Sequence, residues 1–320
     1  MASQQPQEST NASLFSNFED QTREEIINEL ISQGPGLFNR MPQYAAGLYW
    51  LADINCLEAM TVSPQKRRQA FELTKILGGL DLAGILGGKA QFPSENTEAK
   101  PPLDKSRKTS VTTEVEKRDG NKCVLTKLPQ PTLEFARIVQ HKIHGKPAPR
   151  EMWYLLRIFW GGQAEQWEKD LVDHKTGLVN TEQICNMLTL EPQAAAYWDE
   201  GVTGFRPISM NDDGTSLTLE YVTLFSNDKS GLGKRTDIIR LEDFPRRFSK
   251  EYIDELLRRD DEIPTLDRSN FPDIRFIKSG YIFTITTDDP VKRPLPSMNL
   301  LGARWIFTRI AAMQGRGEDE

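Results

Sequence analysis

LEFARIVQHKIHG, residues 133–145, carries two of the chain's three histidines, His141 and His144. Its apolar and polar residues mix at a spacing that fits a strand or the first turns of a helix. His141 lies four residues beyond Arg137, a spacing that places the two on one face of a helix. A His-x-x-His pair can hold a metal from one face of a helix or loop, but two ligands alone bind weakly and no third is evident in the sequence. Arg137 can pair with an acid such as Glu134 or hold an anionic ligand; a buried guanidinium needs a partner either way.

Working outward, the segments that flank this stretch set the class. RDGNKCVLTKLP (118–129) reads as a helix end closed by Gly120, then a strand over KCVLTKL. PREMWYLLRIFWGGQAEQWEKDLV (149–172) is an aromatic-rich helix interrupted at Gly161–Gly162. NTEQICNMLTLEPQAAAYW (180–198) suggests a cap, a short helix and a second helix. On the N-terminal side, EDQTREEIINELIS (19–32) places Ile26, Ile27, Leu30 and Ile31 on one helical face, and AAGLYWLADINCLEAM (45–60) reads as one apolar helix. Ser63 caps a third helix that has Pro64 in its first position. Beyond Pro207, SLTLEYVTLFS and RFIKSGYIFTITT alternate as strands, the latter a hairpin about Ser279–Gly280, and LPSMNLLGARWIFTRIAAMQG (295–315) closes the chain as an amphipathic helix. The class is α+β.

The expected organisation is a disordered tail over 1–17, a helical N-terminal region over 18–90, and a Pro-, Ser- and charge-rich linker over 91–111. A core follows over 112–210, then a strand-rich region with the C-terminal helix over 211–313 and a short tail over 314–320. GLDLAGILGGKAQF is glycine-rich, but Ala83 and Ala90 stand where a phosphate loop needs glycine and a hydroxyl.

Composition narrows the function. With 320 residues, 38% apolar and 27% charged, the chain can bury a sizeable core. The net charge is −6 and the pI about 5.4. Residues 111–210 hold 12 basic against 13 acidic side chains, a balance that disfavours nucleic acid, whose binders carry a basic footprint. Cys56, Cys123 and Cys185 lie far apart and form no CxxC pair, so reduced thiols in a cytoplasmic or nuclear setting are expected. No run approaches the length of a membrane span, and the polar N-terminus lacks a secretory pattern.

Three blocks, RDGNKCVLTKLP, LEFARIVQHKI and NMLTLEPQAAAYWDEGVTGFRPI, resemble in that order the fungal HNH-endonuclease-like domain family. LPSMNLLGARWIFTRIAAMQG and the helical N-terminal part resemble the rest of full-length members, so the likeness covers most of the chain. The resemblance implies a ββα-metal core, a hairpin packed on a helix around one divalent cation. In that chemistry one His activates water and another holds the metal. Matched position by position, the family's first histidine falls on Arg137 and its second on Ala195; its asparagine matches Asn186. An arginine has no lone pair for a proton or a metal, and alanine offers no ligand. The expected fold is therefore a helical N-terminal part, a degenerate HNH-like core, mixed strands and a C-terminal helix, with no metal and no cofactor.

The vacated site would be bounded by Arg137, His141, Asn186 and Asp199 as catalytic candidates. Tyr197, Trp198 and Trp160 would contact the substrate, an apolar small molecule of polyketide or terpenoid type. Trp160 and Trp198 are equally read as core aromatics, and His174 as a solvated loop residue. The favoured reading is a metal-independent cyclase or isomerase of fungal specialised metabolism. The alternatives are a residual endonuclease that uses His141 and His144, and a non-catalytic homodimeric interaction protein.

Overall fold

A computed structural model describes residues 20–76, 110–129, 133–147, 150–224, 238–243 and 277–313, apart from residues 40, 202 and 278. The expected tails at 1–17 and 314–320, the glycine-rich run and nearly all of the 91–111 linker lie outside these residues. The described elements are α1 (Gln21–Gln33), α2 (Pro35–Phe38), β1 (Met41–Pro42), α3 (Gln43–Leu51), α4 (Ile54–Val62), α5 (Pro64–Ile76), α6 (Ser110–Arg118), β2 (Glu134–Arg137), α7 (Arg150–Leu171), β3 (Met187–Leu190), α8 (Pro192–Glu200), β4 (Thr203–Met210), β5 (Ser216–Thr223), β6 (Ile238–Ile239), β7 (Tyr281–Thr286) and α9 (Met298–Met313). The class is mixed α+β. β2 pairs antiparallel with β3, and β4, β5 and β7 form a second antiparallel sheet in that order. β1 and β6 add a two-residue pairing. Among the described residues no helix is long and apolar enough to cross a membrane.

Helix starts follow the side chains that cap them. The Asp20 carboxylate accepts from the Arg23 amide, and the Ser63 hydroxyl accepts from the Lys66 amide ahead of Pro64. Asp53 explains a departure from the sequence reading, because the run 45–60 is two helices and not one. The Asp53 carboxylate accepts from the Asn55 amide and opens α4, while its own amide donates to the carbonyl of Phe159 at 2.8 Å. That carbonyl is free for Asp53 because Gly161 breaks α7 with φ 48° and ψ −124°. A β-carbon at Gly161 would also come within 3.2 Å of Cys56 Sγ. One glycine thus sets the kink and the docking of α4 on α7.

Two other expectations give way. KCVLTKL is not a strand: Asn121 and Lys127 adopt positive φ, and the segment turns back with the Lys127 amide on the Cys123 carbonyl. NMLTL is not a helix but β3, entered through a short helical turn at Ile184–Asn186. β7 pairs with β5, from Ser216 opposite Thr286 to Tyr221 opposite Tyr281. Residues 275, 276 and 278, most of the expected first hairpin arm, are outside the described set.

One apolar cluster runs from Ile26 to Ile310. Its aromatic centre joins three regions of the chain: Trp160 lies 5.7 Å from Trp167 and 5.2 Å from Phe307, and Tyr49 meets Phe159 edge-on at 4.9 Å. The indole of Trp160 donates to the Leu51 carbonyl. This packing fastens α3, α7 and α9 together, and α9 in turn holds the β2–β3 pair described next.

Candidate functional site

β2 and β3 lie on either side of the long helix α7 in the chain and are brought together as antiparallel partners, and α8 comes directly after β3. The two strands pair in register from Glu134 opposite Leu190 to Arg137 opposite Met187, and Glu191 leads into α8, which has Pro192 in its first position. Gly201 ends α8 in the left-handed region (φ 63°), its amide satisfying the carbonyls of Trp198 and Tyr197.

Asn186 stands at the entry to β3 with no exposure. Its Oδ1 accepts from the Val139 amide at 2.9 Å, and its Nδ2 donates to the carbonyls of Val139 and Thr181 at 3.1 and 2.9 Å. Its backbone carbonyl takes the Ile138 amide. One side chain thereby clamps the segment leading to His141 against the segment carrying Glu182. The amide group suits this task because it donates and accepts at once.

Glu182 organises the polar cluster. Its Oε1 accepts from Arg137 Nε at 2.8 Å and forms an ion pair with Nη2 at 2.7 Å, and the same oxygen lies 3.0 Å from His141 Nδ1. His141 is exposed, whereas Arg137 and Glu182 are each about a quarter exposed (side-chain values 29% and 24%). The rings of His141 and His144 stack at 4.9 Å and 18°. His144 Nδ1 accepts from the Thr181 amide at 3.1 Å. Asp199 comes close only through Gln140, whose Nε2 donates to Asp199 Oδ1 at 3.3 Å.

The acid that meets Arg137 is therefore Glu182, not Glu134. In a strand, residues three apart point to opposite faces, so β2 itself turns Glu134 away from Arg137. Glu182 is 41 residues from His141 in the chain, and nothing in the sequence joins the two. Arg137, His141, Asn186 and, through Gln140, Asp199 are brought together; Trp160 lies elsewhere, in the aromatic centre. Trp198 underlies the cluster without facing outward: it is 1% exposed and donates its indole N–H to the Arg137 carbonyl. Tyr197 is buried beside it and accepts from Gln193 through its hydroxyl. His174 is exposed in a polar turn.

Arg304 on α9 completes the support. It is 1% exposed, its guanidinium stacks 4.0 Å over Trp198, and it donates to the carbonyls of Arg137, Ile138 and Trp198. A buried cation over an indole contributes about 2 kcal/mol when desolvated. Arg304 thus ties the C-terminal helix to both β2 and α8, a role the sequence pattern alone did not reveal.

The donor set does not fit a divalent cation. Arg137 is a guanidinium and Ala195 a buried methyl, while His144 has its Nδ1 committed to an amide N–H. Among the described residues no three His, Cys, Asp or Glu side chains are grouped to hold a metal. Burial, reinforced by nearby Asp170, pushes the Cys185 thiol up, which lowers its thiolate fraction at neutral pH.

Thr181 is fully buried and its hydroxyl has no hydrogen-bond partner. Thr181→Val keeps the shape and the backbone amide that holds His144 while removing a desolvated hydroxyl. It is expected to raise stability by about 1 kcal/mol, read as a higher denaturant midpoint; a loss of that size would mean the hydroxyl is satisfied in solution.

Comparison of the chain with protein-family models, with curated proteins and with solved structures finds no match.

Proposed function

We propose that residues 112–210 form an HNH-like framework without its metal chemistry, and that Glu182, His141 and Arg137 make it a proton-transfer enzyme acting on an enolisable small molecule. The observation that carries the proposal is the single carboxylate oxygen shared by Arg137 and His141. A carboxylate only accepts hydrogen bonds, so it places the His141 proton on Nδ1 and leaves the Nε2 lone pair as a base. This is the base–orienter arrangement of acid–base catalysis. Arg137, held by the same oxygen, supplies a fixed positive charge for an oxyanion that develops as the proton leaves. Isomerisation or cyclisation of a polyketide- or terpenoid-like ketone requires only these groups.

Full-length protein treated with chelator is expected to isomerise β,γ-unsaturated ketones, cyclohex-3-enone being the simplest, to conjugated enones followed by absorbance. His141→Gln should lower the rate about 10²–10⁴-fold. Turnover that ignores this substitution throughout a panel of such ketones would sink the proposal.

The antiparallel β2–β3 pair, with α8 directly after it, and the buried Asn186 also favour a second reading, residual endonuclease activity. Plasmid nicking that requires magnesium or manganese and depends on His141 would put that reading first. Neither activity would leave the non-catalytic homodimer, tested by the mass of the particle in solution.

A further inference from the structure

We infer that His144 is the hydrogen-bond donor that complements the His141 base, so that the stacked pair recognises a carbonyl oxygen and an adjacent acidic C–H at once. The inference rests on the proton-transfer reading above and adds to it the substrate's second contact. The argument starts from the groups behind each ring. His141 Nδ1 faces Glu182 Oε1 at 3.0 Å, and an acceptor there requires N–H on Nδ1. His144 Nδ1 faces the Thr181 amide at 3.1 Å, and a donor there requires the lone pair on Nδ1. The two rings therefore hold opposite tautomers: Nε2 is bare on His141 and bears the proton on His144.

Thr181 and Glu182 are adjacent, so one short segment engages both Nδ1 atoms and turns both Nε2 atoms away from itself. The rings are nearly parallel, 18° apart, with centroids separated by 4.9 Å. A base and a donor then lie side by side on a partly exposed surface, with the Arg137 guanidinium joined to the same Glu182 oxygen as His141. A substrate that offers a C–H next to a C=O matches this pair: the C–H meets the His141 lone pair and the oxygen meets the His144 N–H.

The step balances without a co-reactant. The α-C–H bond of a β,γ-unsaturated ketone breaks and its proton bonds to His141 Nε2. The electron pair forms the enolate double bond as the carbonyl pair moves onto oxygen. The oxygen accepts a hydrogen bond from His144 Nε2–H, which stays intact. The His141 imidazolium then returns the proton to the γ-carbon, the carbonyl re-forms, and the product is the conjugated isomer.

The test has two parts on the full chain. Ring ¹⁵N spectra of the free protein, assigned by single substitution of each of the three histidines, should give a pyrrole-type signal for His141 Nδ1 and for His144 Nε2. A pyrrole-type Nδ1 on His144 overturns the inference and leaves the His141 base untouched. His144→Phe keeps a stacked ring without a donor and should lower kcat for cyclohex-3-enone about 10²-fold with KM little changed; a wild-type rate in this variant overturns the inference. Were the wild type inert toward the ketone, the reading beneath would fall, while the ring-nitrogen pattern would still decide the donor assignment.

Discussion

Asp119→Ala is expected to lower stability by about 3–5 kcal/mol, because it leaves a buried guanidinium without its counter-charge. Both side chains of the Arg118–Asp119 pair have no exposure. The carboxylate accepts from Arg118 Nε at 2.7 Å and Nη2 at 3.0 Å, and it also takes the Thr189 amide at 2.9 Å and the Thr189 hydroxyl. Arg118 spends its remaining donors on the carbonyls of Ile184, Met187 and Pro294. The pair thus pins α6 to the turn and strand that carry Asn186, and to the segment before α9. A double-mutant cycle with Arg118→Met separates the terms. The double variant should recover part of the loss, since no charge remains buried, but not all, since three carbonyls lose a donor. Thermal unfolding of Asp119→Ala with a midpoint at the wild-type value would contradict the assignment.

Asn186→Ala is the second large effect, at least about 3 kcal/mol, since each of the three buried groups it orphans costs about 1–3 kcal/mol. The Val139 amide and the carbonyls of Val139 and Thr181 would all lose their partner. The consequence for the site is specific. Freed from the clamp, the 138–141 and 181–182 segments drift apart, and the His141–Glu182 contact loses its fixed geometry. Activity should therefore fall further than residual folding accounts for. Asn186→Asp should not rescue it, because a carboxylate would face two carbonyls with no N–H to give them. Chemical denaturation gives the stability term, and turnover under conditions where the variant is folded gives the positional one. Full turnover in a folded Asn186→Ala would dismiss the clamp.

These two effects bear on what the sequence could tell. Helix α5 was readable because a cap and a proline mark its start, and α7 because its aromatic periodicity survives a double glycine. β3 was not, since Met187, Leu188, Thr189 and Leu190 are all buried. A strand covered on both faces shows no alternation and reads equally as a helix fragment. KCVLTKL misled in the opposite sense: its apolar residues suit a strand, but Val124 makes only one backbone bond to β3, to the Thr189 carbonyl, before the chain turns. At the site, His141 stood out as one of three histidines, and Arg137 and Asn186 through the resemblance to the HNH-like family. Glu182, Gln140 and Arg304 did not, because their partners lie at least 41, 59 and 106 residues away. Only the register of β2 could have helped, by ruling out Glu134.

The most direct test of the account compares wild type with Glu182→Gln in cyclohex-3-enone isomerisation after exhaustive chelation. Both a retained wild-type rate and a loss of at least about tenfold in the variant are expected, because the amide no longer forces the proton onto His141 Nδ1 or anchors Arg137 as an ion pair. A wild-type rate that vanishes on chelation and returns with manganese, or a Glu182→Gln rate equal to wild type, would contradict it.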